Sequence, residues 1–229
     1  MAMFSDSLRD QQTRVRAATL KAMTKFLSMF EDEDQVLQYA PNMANLLDIV
    51  VEVIQTDEEQ GKESLEALIE LTNLFGEIWT ACGEKLIFVC SEVMKNRAFE
   101  DGTRESALEI IGSVAEAHPK LLKQNIETMK AQFFPSLSVM MTKLENDDDI
   151  EAWYEVEEED VFLSNDIASH CAESLERLSG KVGEAMTIQC CSQLINEMVG
   201  ASEWQTRHAG FMCLGMIAET CEKSFRKNL

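Results

Sequence analysis

Apolar residues recur along the chain three and four positions apart. Met43, Leu46, Leu47, Val50, Val51 and Ile54 fall on one stripe of an amphipathic helix. The same holds for Leu86, Val89, Cys90, Val93 and Met94, and again for Ala107, Ile110, Ile111, Val114 and Ala115. This spacing predicts further helices over about 122–144, 162–179, 183–199 and 203–222. No segment sustains the every-other-residue alternation of a half-buried strand. The expectation is an all-α chain, with Pro135 kinking the helix that contains it.

The helices come in pairs. A first, A-type helix is followed by a turn with Asp, Glu or Gly, then by a B-type helix with a base or a histidine near its start. The B-type openings begin around Thr13-Arg14-Val15-Arg16, Gly61-Lys62, Gly102-Thr103-Arg104, Ser169-His170 and Gln205-Thr206-Arg207-His208. Taking Arg16, Lys62, Arg104, His170 and Arg207 as markers, the separations are 46, 42, 66 and 37 residues. Three of the four sit near the period of about 40–47 that HEAT and armadillo repeats show. The predicted architecture is a HEAT-repeat (armadillo-like), right-handed superhelical solenoid of about four to five helix pairs, in which each pair buries its stripe against its neighbours. It forms one array over residues 1–229. No polar capping helix is evident at either end, so the chain reads as a fragment of a longer solenoid.

The separation of 66 marks a repeat with extra residues. Residues 145–160 carry ten carboxylates and no base, and nearly half of the formal net charge of -21 resides there. That overall charge, with 41 acids against 20 bases, disfavours nucleic acid and anionic membranes as partners and favours basic ones. Three prolines and ten glycines in 229 residues leave few chain breaks, as long helices require, and an apolar share of 45% argues against disorder. The seven cysteines are odd in number and form no Cys-x-x-Cys, which points to free thiols in a reducing compartment. Charged residues Asp6, Arg9, Asp10, Arg14 and Arg16 stand where a signal peptide would be apolar, so no leader is expected.

Trp204, Arg207, His208, Ala209, Leu214, Ile217, Glu219 and Cys221 match a W-x-x-R-H-A-x-L-x-A-L-x-x-I-x-E-x-C pattern, with Phe211 at its first Leu. In this the chain resembles the importin-beta (karyopherin-beta) family. Glu105 to Ile111 followed by Ala115-Glu116 resembles an earlier repeat of that family's beta-3 branch. So does the succession Phe133-Phe134-Pro135, Met140-Met141, Leu144, the acidic segment with Trp153, and Ser164-Asn165. The likeness spans most of residues 60–229, while residues 1–60 match only as generic HEAT. It implies a nuclear transport receptor segment without enzymatic activity or cofactor, monomeric, shuttling between cytoplasm and nucleus. The implied partners are cargo bearing basic localisation signals, nucleoporins rich in phenylalanine-glycine repeats, and the small GTPase Ran in its GTP form. A HEAT scaffold of another class, such as a phosphatase regulatory subunit, would share the repeats without needing the acidic insertion.

The resemblance assigns the acidic segment to Ran and basic cargo through Asp147, Asp148, Asp149, Glu151, Trp153, Glu155, Glu157, Glu158, Glu159 and Asp160. With no base in the segment, the carboxylates repel one another, and a cationic partner relieves that repulsion. A solvated linker and a carboxylate-rich calcium site are the other readings, although the EF-hand pattern with its central glycine is absent. Cargo in the family binds the concave side, lined by B-type helices. Candidates there are Glu70, Asn73, Glu77, Trp79, Glu109, Glu116, Glu173 and Glu176, which supply oxygen partners for an ammonium and apolar cover for its stem. Trp79 serves equally as a helix-end packing residue. Met140, Met141 and Met198 read as core. His118, His170 and His208 stand far apart, and adjacent His170 and Cys171 point about 100° away from each other on a helix. No phosphate loop, nucleophile elbow or metal-spaced cluster is present.

Overall fold

The computed structural model describes residues 2–143 and 166–228, so the acidic segment and all ten of its candidate residues lie outside the described residues. The chain divides into two compact units, Met1–Asn125 and Ile126–Leu229. In unit 1 the helices are α1 (Ala2–Ser7), α2 (Thr13–Leu27), α3 (Glu33–Leu37), α4 (Ala40–Thr56), α5 (Glu58–Leu74), α6 (Gly83–Lys95), α7 (Asp101–Ala117) and α8 (Pro119–Gln124). A 3-10 turn (Gly76–Trp79) joins α5 to α6. Among the described residues there is no strand.

Unit 1 is a two-layer stack. B-type α2, α5 and α7 pack in succession, as do A-type α4 and α6, while α4 pairs with α5 and α6 with α7. The predicted stripes are what the layers bury. Leu86, Val89, Cys90, Val93 and Met94 are all buried, as are Ala107, Ile110, Ile111, Val114 and Ala115. On α4 Met43, Leu46, Leu47, Val50 and Ile54 are buried, whereas Val51 at the stripe's margin is half-buried. Each fully buried large aliphatic contributes about 1.5–3 kcal/mol relative to exposure.

Asp57 makes the tight corner between α4 and α5. Its backbone N–H donates to Val53 O at 2.8 Å, ending one helix, and its carboxylate accepts from Gln60 N at 3.2 Å, capping the next. Gly61, in the first turn beyond that corner, touches α4 directly. A Cβ there would meet Ile54 Cα at 2.6 Å and Ile54 N at 2.9 Å. Gly102 differs, since its Cβ would meet the mobile Lys62 Nζ at 2.7 Å and nothing of the backbone. Gly61→Ala should therefore lower stability by about 1–3 kcal/mol through forced separation of α4 and α5. Gly102→Ala should raise it by about 0.5–1 kcal/mol through helix propensity. Urea midpoints of the two variants check this, and a shift of the same sign in both would contradict it.

The three arginines among the repeat markers hold the turns ahead of their own helices. Arg16 Nη1 donates to Asp10 O at 3.0 Å. Arg104, only 1% exposed, donates from Nε to Met94 O at 2.8 Å and from Nη1 to Asp101 Oδ1 at 3.2 Å. In unit 2 Arg207 Nη1 reaches Ala201 O at 3.0 Å and Ser202 O at 2.5 Å. Each arginine thus satisfies carbonyls that the end of an A-type helix or its turn would leave open.

Unit 2 opens with α9 (Ile126–Thr128), a π-helical turn (Met129–Phe133) and α10 (Phe134–Met141) in unbroken succession. It continues with α11 (Ile167–Val182), α12 (Glu184–Val199), α13 (Trp204–Ile217) and α14 (Glu222–Asn228). B-type α11 and α13 pack together, α10 packs on α11, and α12 packs on α13 and the π-helical turn. Met140, Met141 and Met198 are buried in this core, and Cys213 Sγ lies 3.3 Å from Met141 Sδ.

The helix expected at 122–144 is two segments. It breaks at Asn125, whose side chain bonds back to Leu121 O at 2.8 Å, and the second part ends at Met141. The kink expected at Pro135 takes the form of the π-helical turn, with Phe134 N–H bonded to Met129 O five residues back. The wider turn comes directly before Pro135, which lies inside this continuous run, and it makes room for the ring and the missing N–H that would otherwise break the helix. Pro41 in α4 and Pro119 in α8 instead occupy true first turns, where a missing N–H costs little. The helix expected over 203–222 stops at Ile217, and α14 begins afresh at Glu222.

Candidate binding surface

Glu70 and Asn73 lie one turn apart on the exposed side of α5, and Glu77 follows, exposed, in the 3-10 turn. Glu77 Oε1 is 3.6 Å from His118 Nδ1 at the end of α7. Of the two roles the sequence left open for Trp79, cargo contact and helix-end packing, its burial fits packing. It is 0% exposed, and Nε1 donates to Thr72 Oγ1 at 2.9 Å, while Thr72 Oγ1 donates to Leu68 O at 2.7 Å. Trp79 therefore offers no surface. On α7 Glu109 is half-buried and Glu116 exposed.

Glu173 and Glu176 are exposed one turn apart on α11 in unit 2. Glu176 lines a cavity of about 580 Å³ with Gly180, Gly183, Glu184, Glu219, Thr220, Glu222 and Lys223. Four carboxylates and one ammonium face this space, so its field is negative. Gly183, at φ 83, makes the corner between α11 and α12 in a conformation that a side chain would strain. Glu184 Oε1 accepts from Ser224 N at 2.7 Å. Hydrogen bonds from Ser224, aided by the charges of Lys223 and Lys227, hold the Glu184 carboxyl below its ordinary value. The sequence reading reached only Glu176 of this group, because it searched B-type helices and the other three acids sit at helix starts and turns.

The cavity suits a cation or a hydrogen-bond donor on a flexible stem. Thiol chemistry is poorly supported. All seven cysteines are buried and free, and burial pushes Cys82 and Cys190 up to about 11, and Cys90 and Cys213 up to about 12. Burial likewise raises Cys191 and Cys221, and it lowers His208 against the opposing pull of Asp166. Among the described residues no three His, Cys, Asp or Glu side chains are grouped to hold a metal ion, and no helix is long and apolar enough to cross a membrane.

Comparison with known proteins adds lineage to this geometry. Residues 96–189 match the family model described as importin repeat, and residues 1–78 match one described as IPO5-like, TPR repeats. Importin subunit beta-3 of Saccharomyces cerevisiae is 25% identical over 225 residues, covering 96% of this chain and 20% of the relative. A probable importin-5 homolog of Dictyostelium discoideum is 23% identical over 227 residues, with the same 96% and 20% coverage. The chain thus spans about a fifth of the length of these relatives. The crystal structure of Kap121p superposes with a TM-score of 0.87 at 22% identity, covering 98% of this chain and 22% of that one. Kap121p bound to Nup53p gives 0.84 at 23% identity, covering 97% and 22%. Kap121p bound to Pho4p gives 0.85 at 23% identity, covering 100% and 22%. The fold is that of the HEAT-repeat karyopherins.

Proposed function

Because the chain belongs to the importin-beta family, whose members are transport receptors and not enzymes, we propose that it is a segment of a nuclear import receptor that holds cargo through basic localisation segments. The observation that carries the reading is the exposed acidity of its B-type helices and of the turns beside them. Glu70 and Asn73 in unit 1, and Glu176 beside the Glu184, Glu219 and Glu222 cavity in unit 2, present oxygen acceptors to solvent. Kap121p structures with Nup53p and Pho4p support a partner-binding role by likeness. The mechanism is binding without bond chemistry. A lysine stem lies along apolar surface while its ammonium takes two or three carboxylate and amide oxygens. Phenylalanine-glycine nucleoporins engage elsewhere on the same array, and Ran in its GTP form releases cargo on the nuclear side, so the protein shuttles between cytoplasm and nucleus. The acidic segment, through Asp147 to Asp149 and Trp153, provides the second negative surface of this reading.

The test is a pull-down at low salt with an immobilised lysine-rich localisation peptide and, separately, with Ran loaded with GTP. Replacing Asp147, Asp148 and Asp149 with Asn should weaken the basic partner and flatten the dependence of binding on salt. Retention of neither peptide nor Ran by the parent receptor would remove the transport reading.

A further inference from the structure

Charge is sorted by helix in the B-type layer of unit 1. On a chain with 41 acids and 20 bases, α2 carries four bases and no acid. The next helix, α5, carries five acids and one base, and α7 carries four acids and one base, the buried Arg104. Arg14, Lys21 and Lys25 follow one another at seven and four positions, so they share one stripe of α2. Glu59, Glu63, Glu66, Glu70 and Asn73 form the matching stripe of α5, and Lys62 leaves it to reach Gly102 of α7. Contacts fix how the first two stripes face each other. Lys21 Nζ pairs with Glu63 Oε2 and donates to Gln60 Oε1 at 3.2 Å, and Arg14 Nε lies 3.9 Å from Asp57 Oδ2. Both ends of the basic stripe remain open to solvent, since the Arg14 side chain is 87% exposed and Lys25 is exposed. Glu59, Glu66 and Glu70 stand exposed on the neighbouring helix.

We propose that this layer is a two-sign docking surface for an extended segment in which acidic residues adjoin a basic run, the acids lying over α2 and the bases over α5 and α7. The proposal rests on the reading of the chain as a cargo receptor and names the class of basic segment it prefers. A purely basic run laid across the layer meets like charge at α2, and an acidic flank turns that repulsion into attraction. The segment with less net positive charge is then the better ligand, which a uniformly acidic surface would not allow. Packed helices lie about 8–10 Å apart and an extended chain rises about 3.3 Å per residue, so about three residues separate the two signs.

The experiment is fluorescence anisotropy of three labelled peptides on the full 229-residue chain. They are hexalysine, the segregated Glu-Glu-Ser-Gly-Lys-Lys-Lys-Lys, and the alternating Lys-Glu-Lys-Ser-Gly-Lys-Glu-Lys of the same composition. The segregated peptide should bind about threefold or more tighter than the alternating one. Arg14→Gln with Lys25→Gln should erase that preference. Lys120→Gln with Lys123→Gln, the same change in net charge at exposed lysines of α8, should preserve it. Equal affinity for the two isomers, or a preference that survives Arg14→Gln with Lys25→Gln, overturns the two-sign surface. In that case loss of hexalysine on Glu66→Gln with Glu70→Gln still upholds the cargo reading. Hexalysine binding undiminished by that acidic double variant overturns the cargo reading at unit 1, and the two-sign surface with it.

Discussion

Truncating Trp79 to Ala lowers the stability of unit 1 by about 3–5 kcal/mol, the range for deleting a large buried aromatic. The indole is fully buried, and its Nε1 continues a hydrogen-bonded chain through Thr72 Oγ1 to Leu68 O, tying the 3-10 turn to α5. Trp79→Phe keeps most of the ring volume and removes only the donor, so it should cost about 1–2 kcal/mol. Because the ring never reaches solvent, Trp79→Phe should leave hexalysine affinity within about twofold of wild type. Urea unfolding measures the first pair of values and anisotropy the third. A large loss of peptide with stability preserved would return Trp79 to the binding surface.

Arg104→Ala is expected to cost about 2–4 kcal/mol. It leaves Met94 O, inside the core, without its donor, and strips Asp101 of a partner. One term works the other way, since Arg104 Nη2 is buried without a hydrogen bond and its removal relieves a penalty. Arg104→Lys retains charge but not the fork that serves two acceptors, so it should recover less than half of the loss. Chemical denaturation of both variants checks the order. Full rescue by lysine would mean that charge alone, and not the directed Nε bond, secures the turn.

The helical stripes of α4, α6 and α7 were legible because amphipathic spacing reports directly on which face meets a neighbouring layer. The B-type starts were legible for a different reason: Arg16, Arg104 and Arg207 share a local job that fixes their place in the repeat. Asn125 was missed as a break because its cause is a side chain bonding back four residues, which leaves no mark in apolar periodicity. Trp79 stayed open between cargo contact and packing because residue type alone does not tell a helix-end aromatic turned inward from one turned outward; Thr72, seven residues earlier, takes its Nε1 hydrogen bond only in the folded chain. The cavity escaped because its acids are assembled from α11, α12, α14 and the turn before α14, separated along the chain by up to 46 positions. Only folding brings them together.

The arginine bonds also bear on how such a protein can grow. Each reaches a carbonyl five to ten residues back, so the fastening of these helix pairs is written inside the pair. A duplicated stretch of gene brings its own clasp along with its own stripe. New units can then be added or lost without renegotiating the older ones, and the length of the array becomes an evolutionary variable separate from the integrity of any one part.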